Sequence, residues 1–395
     1  MKDKQDVLQG QQSKSLKISQ TLSVVVFLGI IAAGLLLNLF LESPDFIQSE
    51  RRRPASRPEF DLITFASGDF ASEFLDYSSD NFVFRERLRN IRALTTFYIL
   101  RQSDRNGLYF NRRSGIGRFE LMDEEQYRQS GENLRNLLPI LTSSGQDLEL
   151  YFAIIPDKSF YTNRRNMTIC PFRGSEILSE LLPEVNFIDI TDSLTIDDFY
   201  RTDLHWNQVK LDNVVKTLGG EMGFVSPVQT DNITVGEFFG VYYGQLALPM
   251  QPDIMEVRQL PNESFESQRT TIAARYMNDS LSAAQMSAVY ETGAIYDYSA
   301  FQGVDPYSIF LRGPQSVVWL DTGNTTGRNL YVFRDSFASS IAPILAMSES
   351  YEQIVLIDMR YIDSRVLHHF VEFTDGSDVL FLYNTHILNN STMFR

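Results

Sequence analysis

Cysteine is almost absent from this chain of 395 residues, in which Cys170 is the single thiol. One thiol cannot close an intramolecular disulfide, and it cannot build a cysteine-based metal cage. Disulfide-stapled scaffolds and zinc ribbons are therefore excluded. Any catalytic chemistry must use Ser, His, Asp, Glu, Lys or Tyr side chains.

An excess of positive charge is also missing, because 35 Lys and Arg stand against 50 Asp and Glu, for a formal net charge of −15. A nucleic-acid-binding surface needs clustered positive potential, so nucleic acid is not expected as a partner. The sequence contains no glycine-rich phosphate loop, no dinucleotide-binding fingerprint and no internal repeat, and we expect no cofactor. Hydrophobic residues make up 43% of the chain, which is enough for a large core.

A long apolar run lies near the amino terminus. Residues 21–41 read TLSVVVFLGIIAAGLLLNLFL, about the 20 apolar residues needed to cross the hydrocarbon core of a bilayer. A buried core helix is one alternative, but such a helix usually has a polar face. A cleaved signal peptide is another, but it would have a shorter apolar region and a small-x-small cleavage site. We predict a transmembrane signal anchor at 21–41, preceded by a short cytoplasmic tail at 1–20.

The charges beside this segment do not decide its orientation, since four lysines precede it and an arginine cluster at 51–53 follows it. A long domain after a lone amino-terminal anchor is usually translocated. We therefore expect a single-pass protein of the bacterial cell membrane with its domain on the extracytoplasmic side. Prolines among charged residues at 42–59 indicate a stalk.

Beyond residue 60, apolar patterns typical of strands alternate with patterns typical of helices. Aromatic and aliphatic residues between Phe70 and Phe97 recur at helical spacing, and a helix is predicted at 123–142 with Asp123 as its N-cap. Further segments are predicted as strands at 108–110, 148–156, 185–190, 317–320, 329–333, 353–358 and 378–384, and as helices at 173–182 and 337–348. This order indicates an α/β fold with a mostly parallel sheet and helices on both faces. Residues 225–320 predict an irregular insertion.

Ser336 lies in the segment LYVFRDSFASS, directly after a predicted buried strand and before a predicted helix. An open α/β sheet places its active site there, outside the carboxyl ends of its strands. The amino terminus of the following helix would offer backbone N–H groups to a developing oxyanion. The alternative is that Ser336 or Asp335 only caps the helix, which is common for these residue types.

His205 is one of four histidines and lies in the segment FYRTDLHWNQ. In an extended Asp-x-His segment both side chains can point the same way, so Asp203 could orient the imidazole and leave its other nitrogen free to act as a base. Alternatively, His205 is a packed residue beside Trp206, and Asp203 caps a helix at 206–218. No partner cluster has metal-ligand spacing, so no metal site is predicted. The pair His368 and His369 is expected to be structural, in a surface helix.

Taken together, TDLHW, the later strand–RDSF–helix and IVLIDMRYID resemble the DHHW protein family. That family is related to the alginate O-acetyltransferase proteins AlgJ and AlgX and, more distantly, to SGNH hydrolases. The resemblance extends over most of residues 60–395 through the blocks NFVFRERL, NGLYF, IIPDKSFY, FFGVYYG, YSIFLRG and FLYN. It implies an SGNH-hydrolase-like three-layer α/β/α domain at 60–395. It also implies a triad of Ser336 as nucleophile, His205 as general base and Asp203 as orienting acid.

Two positions depart from the family pattern. Leu204 replaces the first histidine of Asp-His-His-Trp, which need not remove activity because His205 is the match to the catalytic histidine. Arg334 replaces the glycine of the related GDS motif, where it could crowd the oxyanion site or add positive charge to it.

Other residues are assigned to the surroundings of the site. Arg334 and Asp335 are expected beside the oxyanion. Trp206 and Lys158 are candidate substrate-binding residues, although a solvated surface lysine is the favoured interpretation of Lys158.

The resemblance implies a membrane-anchored O-acetyltransferase or acetylesterase that acts on an exopolysaccharide or cell-wall glycan, with a membrane-bound O-acyltransferase as a possible partner. Residues 42–395 carry 31 basic and 48 acidic side chains, a net charge of −17, which favours a neutral or weakly charged polymer. The alternative is a non-catalytic glycan-binding or scaffolding component of a polysaccharide assembly complex, with aromatic residues stacking on sugar rings. Proteolysis or lipid hydrolysis is less favoured, because no lid or peptide-binding strand is indicated.

Overall fold

The computed structural model describes residues 19–34, 36–37, 45–47, 49–142, 147–162, 168–225, 230–260, 272–277 and 290–394. The chain divides into two compact units, residues 1–93 and residues 94–395. Residues 19–34 are helical, and part of the predicted anchor at 21–41 lies outside the described residues. Within the described part of the chain, no helix combines the length and the apolar character needed to span a membrane.

Short helices make up most of the described part of the first unit beyond residue 60, and two of them lie where the spacing of apolar residues from Phe70 onward predicted helices. They are α1 (Leu62–Ser67), α2 (Asp69–Asp80) and α3 (Arg85–Leu94). The Asp61 carboxylate caps α1 by accepting the N–H groups of Ile63 and Thr64, which satisfies two donors that the first helical turn leaves open.

An eight-stranded sheet organises the second unit. Its strands, in chain order, are β3 (Leu148–Ile155), β4 (Asn186–Ile188), β7 (Ala273–Met277), β8 (Tyr290–Gly293), β9 (Val317–Asp321), β10 (Asn329–Arg334), β11 (Gln353–Ile357) and β12 (Ser377–Asn384). Two pairs of strands form separate two-stranded sheets. They are β1 (Leu108–Asn111) with β2 (Gly115–Arg118), and β5 (Asp231–Phe238) with β6 (Asp253–Gln259). The spatial order is β4-β3-β12-β10-β11-β9-β7-β8. The first five strands of this order are parallel, so the predicted mostly parallel α/β sheet is confirmed.

The parallel strands are apolar on both faces, because helices cover both sides. Alternate residues of each strand therefore enter different cores: Leu380 and Leu382 of β12 belong to one apolar cluster, while Phe381 belongs to the other. The helices of the second unit are α4 (Glu124–Arg135), α5 (Leu138–Thr142), α6 (Pro171–Leu181), α7 (Asp212–Met222), α8 (Val241–Leu246), α9 (Tyr298–Phe301), α10 (Ala338–Ala346) and α11 (Thr385–Leu388). Helices α7 and α10 pack on the first face, and α4, α5 and α6 on the second.

Two predictions about these elements need correction. The helix predicted at 123–142 does begin after its Asp123 N-cap, but it ends at Arg135, and α5 starts at Leu138. Pro139 explains the break, since proline is tolerated in the first turn of a helix and disrupts a helix interior.

The region 225–320 is also more regular than predicted. Its strands β7, β8 and β9 extend the main sheet, and β9 runs antiparallel to β11. Antiparallel neighbours need no helical crossover, so the alternation of strands and helices that signals a parallel sheet is missing here.

Candidate active site

Ser336 lies in the turn between β10 and α10, at the carboxyl end of the parallel strands. It is partly exposed, whereas the residues on both sides of it are buried. The side chain that caps this turn is that of Asp335, which accepts the N–H of Phe337 at 2.9 Å. The cap is therefore supplied by Asp335, and the Ser336 hydroxyl contacts His205 instead.

The three residues of the predicted triad form one hydrogen-bonded chain. The Ser336 Oγ lies 2.8 Å from His205 Nε2, and His205 Nδ1 lies 2.6 Å from Asp203 Oδ1. His205 and Asp203 are both buried, at 7% and 1% exposure. The structure thus brings together, at 2.8 Å, two residues that are 131 positions apart in the sequence.

The hydrogen bonds of Asp203 determine which atoms donate and which accept between Asp203, His205 and Ser336. Its Oδ1 also accepts the main-chain N–H of His205 at 3.0 Å, and its Oδ2 accepts the N–H of Val241 at 2.8 Å. An ionised carboxylate only accepts hydrogen bonds, so Nδ1 of His205 is the donor. In the neutral ring Nε2 then has no proton and accepts the hydroxyl of Ser336, which is the arrangement that a general base requires.

The Asp-x-His segment is an irregular loop held by several polar contacts. Asp253 accepts the main-chain N–H groups of Arg201 and Thr202, at 2.8 and 2.7 Å. The Thr202 hydroxyl in turn accepts the N–H of Gly240 at 2.9 Å. The predicted helix at 206–218 is instead a 3-10 turn at Gln208–Lys210 followed by α7, so Asp203 does not cap a helix.

Tyr307 is a site residue to which the sequence assigned no role. Its ring stacks on the His205 imidazole, with centroids 3.7 Å apart and planes 8° from parallel. Its hydroxyl donates to Ser340 Oγ at 2.9 Å, and the same oxygen accepts the indole N–H of Trp206 at 2.8 Å. Tyr307 therefore fixes the plane of the His205 imidazole, and the block YSIFLRG was the only sequence signal for it.

Trp206 and Lys158, the candidate substrate-binding residues, are both buried. Trp206 donates its indole N–H to the carbonyl of Phe337 at 3.0 Å, which ties the Asp-x-His loop to the turn that carries Ser336. Lys158 is not the solvated surface lysine considered from the sequence, because its ammonium donates to main-chain carbonyls of the Asp-x-His loop. A contact of either residue with substrate stays a prediction.

Arg334 is buried at the start of the turn that carries Ser336, at 1% exposure. Its Nη1 donates to Ser339 Oγ at 2.7 Å and to the carbonyl of Asp335 at 3.3 Å, and lies 4.0 Å from Asp358. These contacts direct the guanidinium to the turn and to α10. Burial raises the pKa of the neighbouring Asp335, while hydrogen bonds from Asn384 and Phe337 oppose that rise. The predicted position of both residues beside an oxyanion is not tested.

His386 is a further histidine that sequence reasoning missed. Its Nδ1 lies 2.7 Å from Glu120 Oε2 and its Nε2 lies 2.9 Å from Asp157 Oδ2. Burial opposes a charge on this ring, but the two carboxylates outweigh burial and raise its pKa to about 9. His386 is therefore an imidazolium at neutral pH, and it ties α11 to the end of β3. His368 and His369 are exposed in a 3-10 turn, Ser364–His369.

The described residues contain no group of three or more His, Cys, Asp or Glu side chains that could hold a metal ion. The chemistry that this arrangement can perform is activation of a serine hydroxyl by a buried, oriented imidazole.

Solved structures share this fold. A DHHW family protein from Eubacterium siraeum matches with a TM-score of 0.55 and 17% identity, over 73% of this chain and 94% of that one. PatB1 from Bacillus cereus, determined with a sulfonyl adduct, matches with a TM-score of 0.53 and 16% identity, over 73% of this chain and 98% of that one. No protein-family model matches the chain, and no curated protein matches it.

The O-acetyltransferase domain of Pseudomonas putida AlgJ also matches, over 72% of this chain and 93% of that one, but with 11% identity and a TM-score of 0.38, which is too low to support an inference. The structural neighbours thus include a DHHW family protein, in line with the resemblance seen in the sequence. At these identities the likeness establishes the fold.

Proposed function

We propose that this protein is a membrane-anchored, extracytoplasmic O-acetyltransferase or acetylesterase that acts on an exopolysaccharide or cell-wall glycan. The observation that carries the proposal is the continuous hydrogen-bonded chain from Ser336 through His205 to Asp203. Its order and geometry are those of a serine nucleophile with a general base and an orienting acid. The partly exposed position of Ser336 among buried neighbours gives an acyl group access to the nucleophile.

The proposed reaction proceeds in two steps. The Ser336 Oγ attacks the carbonyl carbon of an acetyl ester while His205 Nε2 takes the hydroxyl proton. The tetrahedral intermediate then expels the donor alcohol, which leaves with that proton, and acetyl-Ser336 remains. In the second step a sugar hydroxyl or water attacks the acetyl carbonyl, His205 takes its proton, and the proton returns to Ser336 as the acetyl group departs.

Asp203 stabilises the imidazolium that forms in both steps, because its buried carboxylate accepts a hydrogen bond from Nδ1–H, with Nδ1 and Oδ1 2.6 Å apart. The stacked ring of Tyr307, 3.7 Å from the imidazole, also favours the charged ring through its negative face. For a transferase, we propose a membrane-bound O-acyltransferase as the source of the acetyl group. The membrane anchor at 21–41 would keep the domain near such a donor.

The experiment compares the full-length, detergent-solubilised protein with its Ser336→Ala variant. The two assays are hydrolysis of a chromogenic acetyl ester and covalent labelling by an aryl sulfonyl fluoride, a reagent suggested by the sulfonyl adduct in PatB1. Ser179 is a matched control, because it is an exposed serine whose hydroxyl donates to the carbonyl of Glu176 at 3.0 Å.

Ser336→Ala is expected to lower kcat/KM by about 10³-fold or more and to abolish labelling, while Ser179→Ala leaves both unchanged. Equal rates and equal labelling for Ser336→Ala and the wild type would refute the triad. A glycan-binding scaffold would instead bind polysaccharide equally well in both proteins and hydrolyse the ester in neither.

A further inference from the structure

Lys158 is a buried cation beside the Asp-x-His loop, at 1% exposure. It begins the 3-10 turn Lys158–Tyr161 that follows β3. Its Nζ donates to the carbonyls of Asp203 at 2.8 Å and Tyr200 at 2.9 Å, and lies 3.5 Å from that of Arg201. An ammonium has three N–H groups, so this cation can serve three carbonyls of one loop at once.

Besides Lys158, the loop is held by Asp253 and by backbone hydrogen bonds from Ile116 to Arg201 and from Tyr243 to Thr202. The N–H of Tyr200 donates to the carbonyl of His205 at 3.1 Å, and Phe199 pairs with Trp206 in an isolated bridge. These contacts close the base of the loop, and residues 201–205 between them have no helical or strand structure. Without this donor the buried carbonyls of Tyr200 and Asp203 would each lose a hydrogen bond, which is costly inside a protein.

A buried ammonium is itself costly, and the structure shows which groups face it. Burial lowers the pKa of Lys158 to about 8, against the opposing effect of the carboxylates of Asp157, Asp253 and Asp203, while Arg201 lowers it further. The Tyr242 ring lies 5.5 Å away. A neutral methionine or leucine would fill this space without the desolvation cost, so packing alone does not explain a lysine here.

We infer that Lys158 is a positioning residue of the triad, whose buried ammonium holds the loop that carries Asp203 and His205 against Ser336. This inference rests on the proposed function. Lys158 touches no reacting atom and acts through the carbonyls of Tyr200 and of Asp203 itself. Because a misplacement of about 1 Å can cost roughly 10²-fold in rate, loss of these contacts reaches the chemistry through the position of the imidazole.

The position of Lys158 is itself fixed by the contacts of the residue that precedes it. The preceding residue, Asp157, accepts the N–H of Ser159 at 2.8 Å with one oxygen and contacts His386 Nε2 at 2.9 Å with the other. The turn that begins with Lys158 is thus anchored to α11, and the lysine presents a fixed donor to the loop.

The test uses the full-length protein with 15N-labelled histidine, because the Nδ1 proton between His205 and Asp203 should give a low-field NMR resonance. Lys158→Met is the main variant. Lys158→Arg keeps the charge. Lys210→Met is the matched control, since the exposed Lys210 also donates to a carbonyl, that of Asp197. Unfolding temperature and kcat are measured for each protein.

Lys158→Met is expected to lose or broaden the low-field resonance and to lower kcat by about 10- to 100-fold with a smaller change in KM. Lys158→Arg should recover part of the low-field resonance and part of the lost kcat, and Lys210→Met should match the wild type in both measurements. A folded Lys158→Met protein with the wild-type resonance and kcat would overturn the inference.

If Lys158→Met does not fold, the wild type is followed between about pH 7 and 9.5. The resonance should weaken with a midpoint near the lysine pKa of about 8, and the midpoint should move upward in Lys158→Arg; a midpoint unchanged in that variant would overturn the inference. Failure of the proposed function is distinct, because Ser336→Ala would then hydrolyse the ester as fast as the wild type. The NMR resonance would still decide the role of Lys158.

Discussion

His386 offers a stability prediction that does not depend on catalysis. The ring lies between the carboxylates of Glu120 and Asp157, with its side chain 13% exposed. Replacing it by glutamine keeps a hydrogen-bonding side chain of similar length but removes the positive charge. The two carboxylates are then left close together without the cation that both contact, and each is costly to bury alone.

The magnitude follows from the pKa. A rise from 6.5 to about 9 corresponds to about 3 kcal/mol, at roughly 1.4 kcal/mol per unit. The pKa of Asp157 is lowered to about 2: its burial opposes the fall, and His386 outweighs burial. Both shifts describe the same ion pair, so they are not added. We expect His386→Gln to lower the free energy of unfolding by about 3 kcal/mol near pH 6.

The pH dependence has a definite sign. Because the folded-state pKa of His386 is raised, its stabilisation is fully present below pH 6.5 and is lost as the pH rises through about 9. Lys158 acts in the opposite sense, since its pKa is lowered to about 8 and its deprotonation favours the folded state at higher pH. Comparing His386→Gln with the wild type at each pH cancels the contribution of Lys158.

The assay is urea unfolding of both proteins at about pH 6 and pH 9.5, where the difference between them should shrink from about 3 kcal/mol to well under 1 kcal/mol. His368→Gln is the control, because His368 is exposed, and it should change neither value. A difference that stays the same at both pH values would refute the assignment of His386 as a buried imidazolium.

Two further predictions concern the acid of the triad. Asp203→Asn should lower kcat by about 10³- to 10⁴-fold with little change in fold. An amide has one accepting oxygen, so its NH₂ group must face the N–H of either Val241 or His205, which both donate to Asp203. Activity within tenfold of the wild type would contradict this prediction. In Gly240→Ala the new Cβ would lie 2.3 Å from the Asp203 Cβ and 2.5 Å from its Oδ2, so the loop must shift and kcat should fall by at least about tenfold. Gly220→Ala, a control with nothing within 4 Å of the added atom, should keep full activity and gain about 0.5–1 kcal/mol of stability; equal kcat values for the two alanine variants would exclude the predicted shift.

The predicted strands and helices agree best with the structure where a segment is apolar along its whole length. The strand predicted at 148–156 is Leu148–Ile155, and the one predicted at 329–333 is Asn329–Arg334. A strand that is buried on both faces is a continuous apolar run in the sequence, and such a run can be predicted as a strand without knowing which strands pair with it. The sequence has no comparable local signal for the direction of β9, because whether a strand pairs parallel or antiparallel depends on its partner.

The sequence by itself determined the types of residue available for chemistry, their order along the chain and the strand-to-helix turn that exposes Ser336. It also placed Asp203 two residues from His205, and that spacing is local. Only the tertiary structure decided which of the other residues serve the site. Tyr307, Lys158 and His386 reach their partners across 33 to 266 positions of sequence. Periodicity reports on neighbours within a few residues, whereas these contacts arise only when parallel strands bring their carboxyl ends together.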